Sequence, residues 1–115
     1  MSILNKYNKG IAFTNVKERK RTYIDFKGLV TLMGNEEFHV VRALYINDKS
    51  KFGEEPVIVL DDFFVNAPKH TLNMIKEMRQ DNDVVQLINE GKVAFTIYSY
   101  ENDFGTNYSM NWVEL

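Results

Sequence analysis

The stretch that decides the fold is Lys92-Val-Ala-Phe-Thr-Ile-Tyr-Ser-Tyr-Glu-Asn-Asp-Phe-Gly-Thr-Asn-Tyr-Ser-Met-Asn-Trp-Val-Glu-Leu115. Apolar and polar residues alternate on both sides of a central cluster, Glu101 to Thr106, that holds asparagine, aspartate and glycine. Side chains of a β-strand point alternately to its two faces, and such clusters favour turns. The stretch therefore predicts a long β-hairpin.

The two faces of this predicted hairpin differ in character. On the first strand, Tyr98 and Tyr100 lie opposite an apolar set that consists of Val93, Phe95 and Ile97. If the apolar set is buried, both tyrosines face solvent or a partner. On the second strand the apolar set, which we expect to be buried, consists of Tyr108, Met110 and Trp112. The alternation thus predicts an exposed pair of tyrosines and a tryptophan in the core.

The length of the chain, 115 residues, is sufficient for one hydrophobic core, so we expect a single domain over residues 1–115. Apolar residues make up 44% and charged residues 26%, as in ordinary soluble proteins. No apolar run approaches the ~20 residues of a membrane span, and the first residues do not resemble an export signal. We expect a cytoplasmic protein without a membrane partner.

The residue types that most enzymes and metal sites require are scarce. The sequence contains no cysteine, and its two histidines, His39 and His70, are far apart. This composition excludes disulfides and thiolate catalysis and disfavours structural zinc. The adjacent carboxylates Asp61 and Asp62 have no third ligand at a recognisable spacing, and no glycine-rich phosphate loop is present. We therefore expect no enzymatic activity, no metal and no cofactor.

The order of the remaining patterns indicates a barrel interrupted by helices. Strands are predicted at 10–16, 22–33, 38–47 and 57–65, and Gly28 is interpreted as a bulge inside the second of them. Next comes a helical segment. Asn66 and Pro68 are signals for the start of a first helix, and Asp83 with Gln86 fits a capping box for a second, short helix. Gly91 is predicted to end this second helix.

This order predicts an all-β fold with a helical insertion. Its best match is a five-stranded OB-fold, a Greek-key barrel with the helix between strands three and four, and nucleic acid commonly binds across such a barrel. The alternative is another five- or six-stranded barrel or an α+β domain.

Charge is unevenly distributed along a chain whose net charge is −2. A basic run, Lys17-Glu-Arg-Lys-Arg21, lies between Phe13 and Tyr23, while acidic residues collect elsewhere. The net charge argues against binding duplex nucleic acid over the whole surface, but it permits a local basic groove. The basic run has an alternative interpretation as a solvated loop.

Proteins that bind single strands combine cations along the phosphate backbone with exposed aromatic rings on which bases stack. The candidate cations are Lys17, Arg19, Lys20, Arg21, Arg42, Lys49 and Lys51. The candidate stacking residues are Phe52, Tyr98, Tyr100 and Phe104. Phe104 lies at the tip of the predicted turn, an unusual place for a large apolar side chain. The two tyrosines have an alternative interpretation as ordinary sheet surface or as a subunit interface.

Two segments carry a family resemblance: Lys17-Glu-Arg-Lys-Arg-Thr-Tyr-Ile-Asp-Phe-Lys-Gly28 and Tyr98-Ser-Tyr-Glu-Asn-Asp-Phe-Gly-Thr-Asn-Tyr-Ser-Met-Asn-Trp112. With the helical segment between them, the chain resembles the atypical single-stranded-DNA-binding proteins of lactococcal tailed phages. The resemblance implies an OB-fold, a homotetramer and sequence-tolerant binding of single-stranded DNA. It also implies a role in phage DNA replication or recombination, in the cytoplasm of an infected bacterium, with replication or recombination proteins as partners.

A second hypothesis assigns the same aromatic residues to a protein partner. Tyr98, Tyr100 and Phe104 would then form the hot spot of an interaction module, such as a phage-encoded regulator of a host enzyme. Binding of a labelled oligothymidine distinguishes the two hypotheses, because only the first requires it.

Overall fold

The computed structural model describes residues 13, 14, 16, 20–34, 37–49, 51 and 53–115. The strands in these residues are β1 (Thr22–Asp25), β2 (His39–Val40), β3 (Ala43–Asn47), β4 (Glu55–Val59), β5 (Phe63–Asn66), β6 (Val93–Asn102) and β7 (Gly105–Glu114). The helices are α1 (Phe26–Met33), α2 (Leu72–Gln80) and α3 (Asn82–Asn89), and a 3₁₀ turn at Lys69–Thr71 precedes α2. Strands predominate, which agrees with the predicted all-β class with inserted helices.

The predicted hairpin is confirmed as β6 and β7. Its pairing runs from Val93 opposite Glu114 to Asn102 opposite Gly105. Gly105 has a φ of 111°, in a region that side chains other than glycine rarely adopt. The backbone N–H of Phe104 donates to the side-chain oxygen of Asn102 at 2.8 Å. The turn therefore forms where the polar cluster predicted it.

Two sheets meet in the segment 39–47. One sheet has the strand order β1-β5-β4-β3, and the other has the order β2-β6-β7. Between β2 and β3, the N–H of Val41 donates to the carbonyl of Val93 in β6 at 2.9 Å, and the N–H of Arg42 donates to the carbonyl of Val59 in β4 at 2.8 Å. Successive N–H groups of an extended chain point to opposite sides. The segment is therefore one bent strand with a sheet on either side, close to the strand predicted at 38–47.

The described part of the chain does not form a closed barrel, because β1 and β7 end the two strand orders and do not pair with each other. It contains seven strands, whereas the sequence predicted five. One cause is that the run predicted at 57–65 is divided by a turn between β4 and β5. The helices also lie elsewhere than predicted: α1 lies between β1 and β2, and α2 and α3 lie between β5 and β6 rather than between strands three and four.

The predicted strand over 22–33 is wrong beyond Asp25. The carboxylate of Asp25 accepts a hydrogen bond from the N–H of Gly28 at 2.7 Å, and this N-cap begins α1. Phe26 and Leu29, three residues apart, are both buried. Gly28 is helical rather than a bulge, and a Cβ at this position would lie 2.8 Å from Cγ1 of Ile24. Close packing of α1 against β1 therefore favours glycine here.

The predicted helical segment is confirmed as α2 and α3, but the cap of α3 differs. The Asp81 carboxylate accepts from the N–H groups of Asp83 at 3.0 Å and Val84 at 3.4 Å, so Asp81 rather than Asp83 is the N-cap. Ile75 of α2 and Ile88 of α3 are fully buried against the strands. No helix in the described ranges has the length and apolar character needed to cross a membrane.

Gly91 lies just beyond the C-cap of α3 and closes the helix end, as predicted. Gly91 has a φ of 72°, and its N–H donates to the carbonyl of Ile88 at 3.0 Å. The N–H of Lys92 donates to the carbonyl of Leu87, also at 3.0 Å. This pair of bonds is a Schellman motif, which requires a left-handed residue after the helix. It directs the chain straight into β6.

The core is centred on Phe95 of β6, which is fully buried. Its ring centroid lies 5.9 Å from that of Phe26, 5.2 Å from that of His39 and 6.0 Å from that of Trp112. These three rings come from α1, β2 and β7. One side chain thus joins the hairpin to the first helix and to the bent strand.

The half-buried Trp112 generates the first prediction. It packs edge-on against Phe95, and its Nε1–H donates to Sδ of Met74 at 3.3 Å, so the predicted core-facing side is confirmed. We expect Trp112→Ala to lower the free energy of unfolding by about 3 kcal/mol. The measurement is urea denaturation, with the exposed neighbour Asn111→Ala as control. A Trp112→Ala protein that unfolds like the wild type would contradict this packing.

The cap of α1 generates the second prediction. Asp25→Ala removes the acceptor for the N–H of Gly28 and is expected to lower the free energy of unfolding by about 1 kcal/mol. Asp25→Asn retains a capping oxygen and is expected to retain most of that stability. Both are measured by urea denaturation. Unchanged stability in Asp25→Ala would favour the strand that the sequence predicted.

Candidate nucleic-acid interface

The hairpin presents two tyrosine rings side by side. Tyr98 and Tyr100 are 44% and 42% exposed, and their ring centroids are 6.3 Å apart. They lie on the face of β6 opposite Phe95, next to Ser109 and Asn107 of β7. Their predicted exposure is confirmed. The rings form an aromatic surface on a strand whose other face is held in the core.

Phe104 occupies the tip of this hairpin. Its side chain is 96% exposed, more than that of any other large apolar residue described. Burying such a side chain against a ligand or partner is favourable by about 1.5–3 kcal/mol. The tip therefore provides an apolar contact for either hypothesis drawn from the sequence.

A small polar cleft of about 250 Å³ lies beside Tyr100. Lys27 at the start of α1 and His70 from the 3₁₀ turn line it together with Tyr100. Nε2 of His70 lies within hydrogen-bond distance of Oγ of Ser109, at 3.3 Å. The cleft brings an ammonium group to the neighbourhood of an exposed tyrosine, which is the combination that a stacked base and its phosphate require.

Several of the predicted cations are not placed beside the hairpin. Three predicted site residues lie outside the described residues: Lys17, Arg19 and Phe52. Lys20 is exposed just before β1, and Lys49 and Lys51 are exposed in the connection between β3 and β4. The N–H of Lys49 donates to Oδ1 of Asn47 at 3.1 Å. The described residues thus place these cations on connections of the β1-β5-β4-β3 sheet.

Arg21 and Arg42 each bond to a residue of the turn between β4 and β5. Nε of Arg21 donates to the carbonyl of Leu60 at 2.6 Å. Arg42 pairs with Asp61, with Nε at 3.1 Å from Oδ1 and Nη2 at 3.4 Å from Oδ2. The carboxylate balances the charge of Arg42 and weakens its attraction for phosphate.

A second aromatic surface lies on the other sheet, and the sequence analysis did not assign it. Tyr23, Tyr45 and Phe64 line a cleft of about 390 Å³ together with Ala43 and Val59. The rings of Tyr23 and Phe64 are 4.9 Å apart, and Arg21 lies 5.7 Å from the Phe64 centroid in a cation–π contact. We call this the aromatic cleft. Phe13 and Val16, from the segment before β1, and Leu44 also line it. Its signal in the sequence is the basic run between Phe13 and Tyr23.

His39 is a buried titratable group beneath the hairpin. It is opposite Phe95 in the pairing of β2 with β6, and only 4% of its surface is exposed. Burial lowers the pKa of His39 below the ordinary value of 6.5, and the nearby Glu37 opposes this shift. The folded protein therefore favours the neutral ring, which suits an aromatic position in the core.

Within the described ranges, no group of three or more His, Asp or Glu side chains comes together. The paired carboxylates Asp61 and Asp62 lie at the β4–β5 turn, and Asp61 pairs with Arg42. Comparison with known proteins gave no matching family model, curated protein or solved structure.

The burial of His39 generates the third prediction. Because its folded-state pKa is below 6.5, the unfolded chain binds a proton more readily than the folded one. At a pH above the unfolded-state pKa of about 6.5, His39 makes its full contribution to the free energy of unfolding. That contribution is lost as the pH falls from about 6.5 toward the folded-state pKa. Urea denaturation between about pH 7 and pH 5 should show a smaller decline for His39→Gln than for the wild type, with His70→Gln as control. Equal declines for His39→Gln and the wild type would contradict the prediction.

Proposed function

We propose that the protein binds single-stranded DNA with little sequence preference and acts in phage DNA replication or recombination. The observation that carries this proposal is the exposed pair Tyr98 and Tyr100, with centroids 6.3 Å apart on one strand. Stacking of a base on an aromatic side chain contributes about 1–3 kcal/mol, and every base has a π-face. A pair of rings therefore suits sequence-tolerant binding.

The hairpin is a firm support for such a surface. Its inner face packs through Phe95 and Trp112 against the core, so the backbone that carries the tyrosines is held in place. Groups mounted on strands are positioned more accurately than groups on loops. Lys27 lines the cleft beside Tyr100 together with Asp25, and in this proposal its ammonium group contacts a phosphate of the strand that stacks on the hairpin.

In this proposal DNA is attracted by individual exposed cations rather than by the overall charge of the protein. The chain has a net charge of −2, so the overall charge does not attract a polyanion. Exposed cations such as Lys20, Lys27 and Lys49 would neutralise individual phosphates and release their counterions. Binding is then expected to weaken at high salt, with a slope set by the few phosphates contacted.

The finer architecture and the assembly are also proposals. The bent strand at 39–47, shared by two sheets, supports an OB-like arrangement, because strands that pass from one sheet to another form the corners of small barrels. The family resemblance supports a homotetramer in the cytoplasm of an infected bacterium, with phage replication or recombination proteins as partners.

A protein-interaction module is the second candidate function, and Phe104 favours it. A phenylalanine that is 96% exposed, at the tip of the hairpin that also carries two exposed tyrosines, has the composition of an interface hot spot. This alternative requires no nucleic acid, so it predicts no affinity for oligothymidine.

The fourth prediction tests the proposal by titrating a labelled oligothymidine at about 50 mM and about 200 mM salt. We expect binding that weakens with salt. The double variant Tyr98→Ala/Tyr100→Ala should lose about tenfold or more in affinity at both salts, because stacking releases no counterions. Lys27→Ala, which removes the cation of the cleft beside Tyr100, should instead flatten the salt dependence.

Ser99→Ala is the matched control for the tyrosine variant, because Ser99 lies between the two tyrosines, is exposed and faces the other way. Arg21 is left intact in the charge variant, since its Nε holds the carbonyl of Leu60. No binding of oligothymidine by the wild type at either salt would reject the proposed function.

A further inference from the structure

We infer that the aromatic cleft of Tyr23, Tyr45 and Phe64 is a second binding site, which takes an unpaired nucleobase of a single strand. This inference rests on the proposed function and names a site for it on the sheet that does not contain the hairpin. The ligand chemistry is a flat, uncharged heterocycle linked to an anionic phosphate.

The pairing of the strands brings the cleft together. Tyr23 of β1 is opposite Phe64 of β5, Phe64 is opposite Val59 of β4, and Val59 is opposite Ala43 of β3. Residues directly opposite each other point to the same face, and Tyr45, two residues after Ala43, shares that face. All five residues therefore belong to one surface.

The shape of this surface suits a single ring. Val59 and Ala43 are buried and small, and the aromatic residues Phe64 and Tyr45 lie on the strands on either side of β4, two residues apart along the strand direction. The strands β5 and β3 lie about 10 Å apart across β4. A flat ring between two aromatic walls requires about 7 Å at ordinary carbon contact distances. The volume of about 390 Å³ falls in the lower part of the range for small-ligand sites.

The exposure of the walls supports a planar ligand. Tyr23 is 59% exposed and Tyr45 is 45% exposed, although both line a concave surface. Their rings present faces that a stacked base would cover. The pairing of Tyr23 with Phe64 at 4.9 Å supports that wall from the side, so it does not depend on a loop.

Both cations and carboxylates lie at the edge of the cleft. Arg21 lies 5.7 Å from the Phe64 centroid, and the exposed Lys20 precedes it in the chain. A phosphate attached to a base in the cleft would find these cations nearby. Asp61 and Asp62 also lie at the adjacent turn, and Asp61 pairs with Arg42. The net field is therefore weak, and stacking rather than charge would dominate the affinity.

The test uses the full chain and a labelled oligothymidine. We expect Tyr45→Ala and Tyr23→Ala each to lower affinity by about fivefold to a hundredfold, equally at low and high salt, because each removes one stacking face. Tyr45→Phe keeps the ring and should bind like the wild type. Thermal melting of each variant separates loss of the site from loss of the fold, and Tyr45→Phe and Tyr45→Ala form a matched pair at one exposed position.

The outcomes separate this inference from the proposed function. If the cleft variants bind like the wild type while Tyr98→Ala/Tyr100→Ala binds weakly, the cleft is not a site and the proposed function stands. If Tyr45→Phe loses as much affinity as Tyr45→Ala, stacking at this position is rejected. If the wild type binds no oligothymidine at either salt, the proposed function fails, and the inference fails with it.

Discussion

The burial of one face of the hairpin around Phe95 is the interaction on which the rest of the structure depends. Rings from α1, β2 and β7 lie within 6.0 Å of its centroid, so three separate parts of the chain are ordered by one side chain. Because neighbouring residues of a strand point to opposite faces, fixing Phe95 inside also fixes Tyr98 and Tyr100 outside. Stability and the candidate binding surface thus have a common origin.

Features encoded by local patterns were predictable, and those encoded by distant contacts were not. Alternation and the polar cluster before Gly105 suffice for the hairpin, and Gly91 suffices for the end of α3. The apolar spacing after Tyr23 fits both a strand and a helix, and the cap at Asp25 decides between them. The neighbourhood of Tyr23 and Phe64 arises from a parallel pairing of β1 with β5, which no periodicity within either segment reveals.

The candidate interface illustrates the same limit. The sequence placed cations and aromatic residues in a single groove, whereas the structure associates Lys27 with the hairpin and Arg21 with the aromatic cleft. The two proposed sites would combine through effective concentration when a single strand reaches both. A strand long enough to reach both surfaces would then bind more tightly than a short strand that contacts only one of them.

The bent strand at 39–47 also has a consequence for folding. Val41 is bonded to one sheet and Arg42 to the other, with no residue between them. A shift of pairing by one residue turns every side chain of a strand to the opposite face. Since the same strand belongs to both sheets, such a slip in either one would misplace the buried residues of both. A register error at this junction would therefore cost buried contacts in both sheets, which favours the native pairing of each.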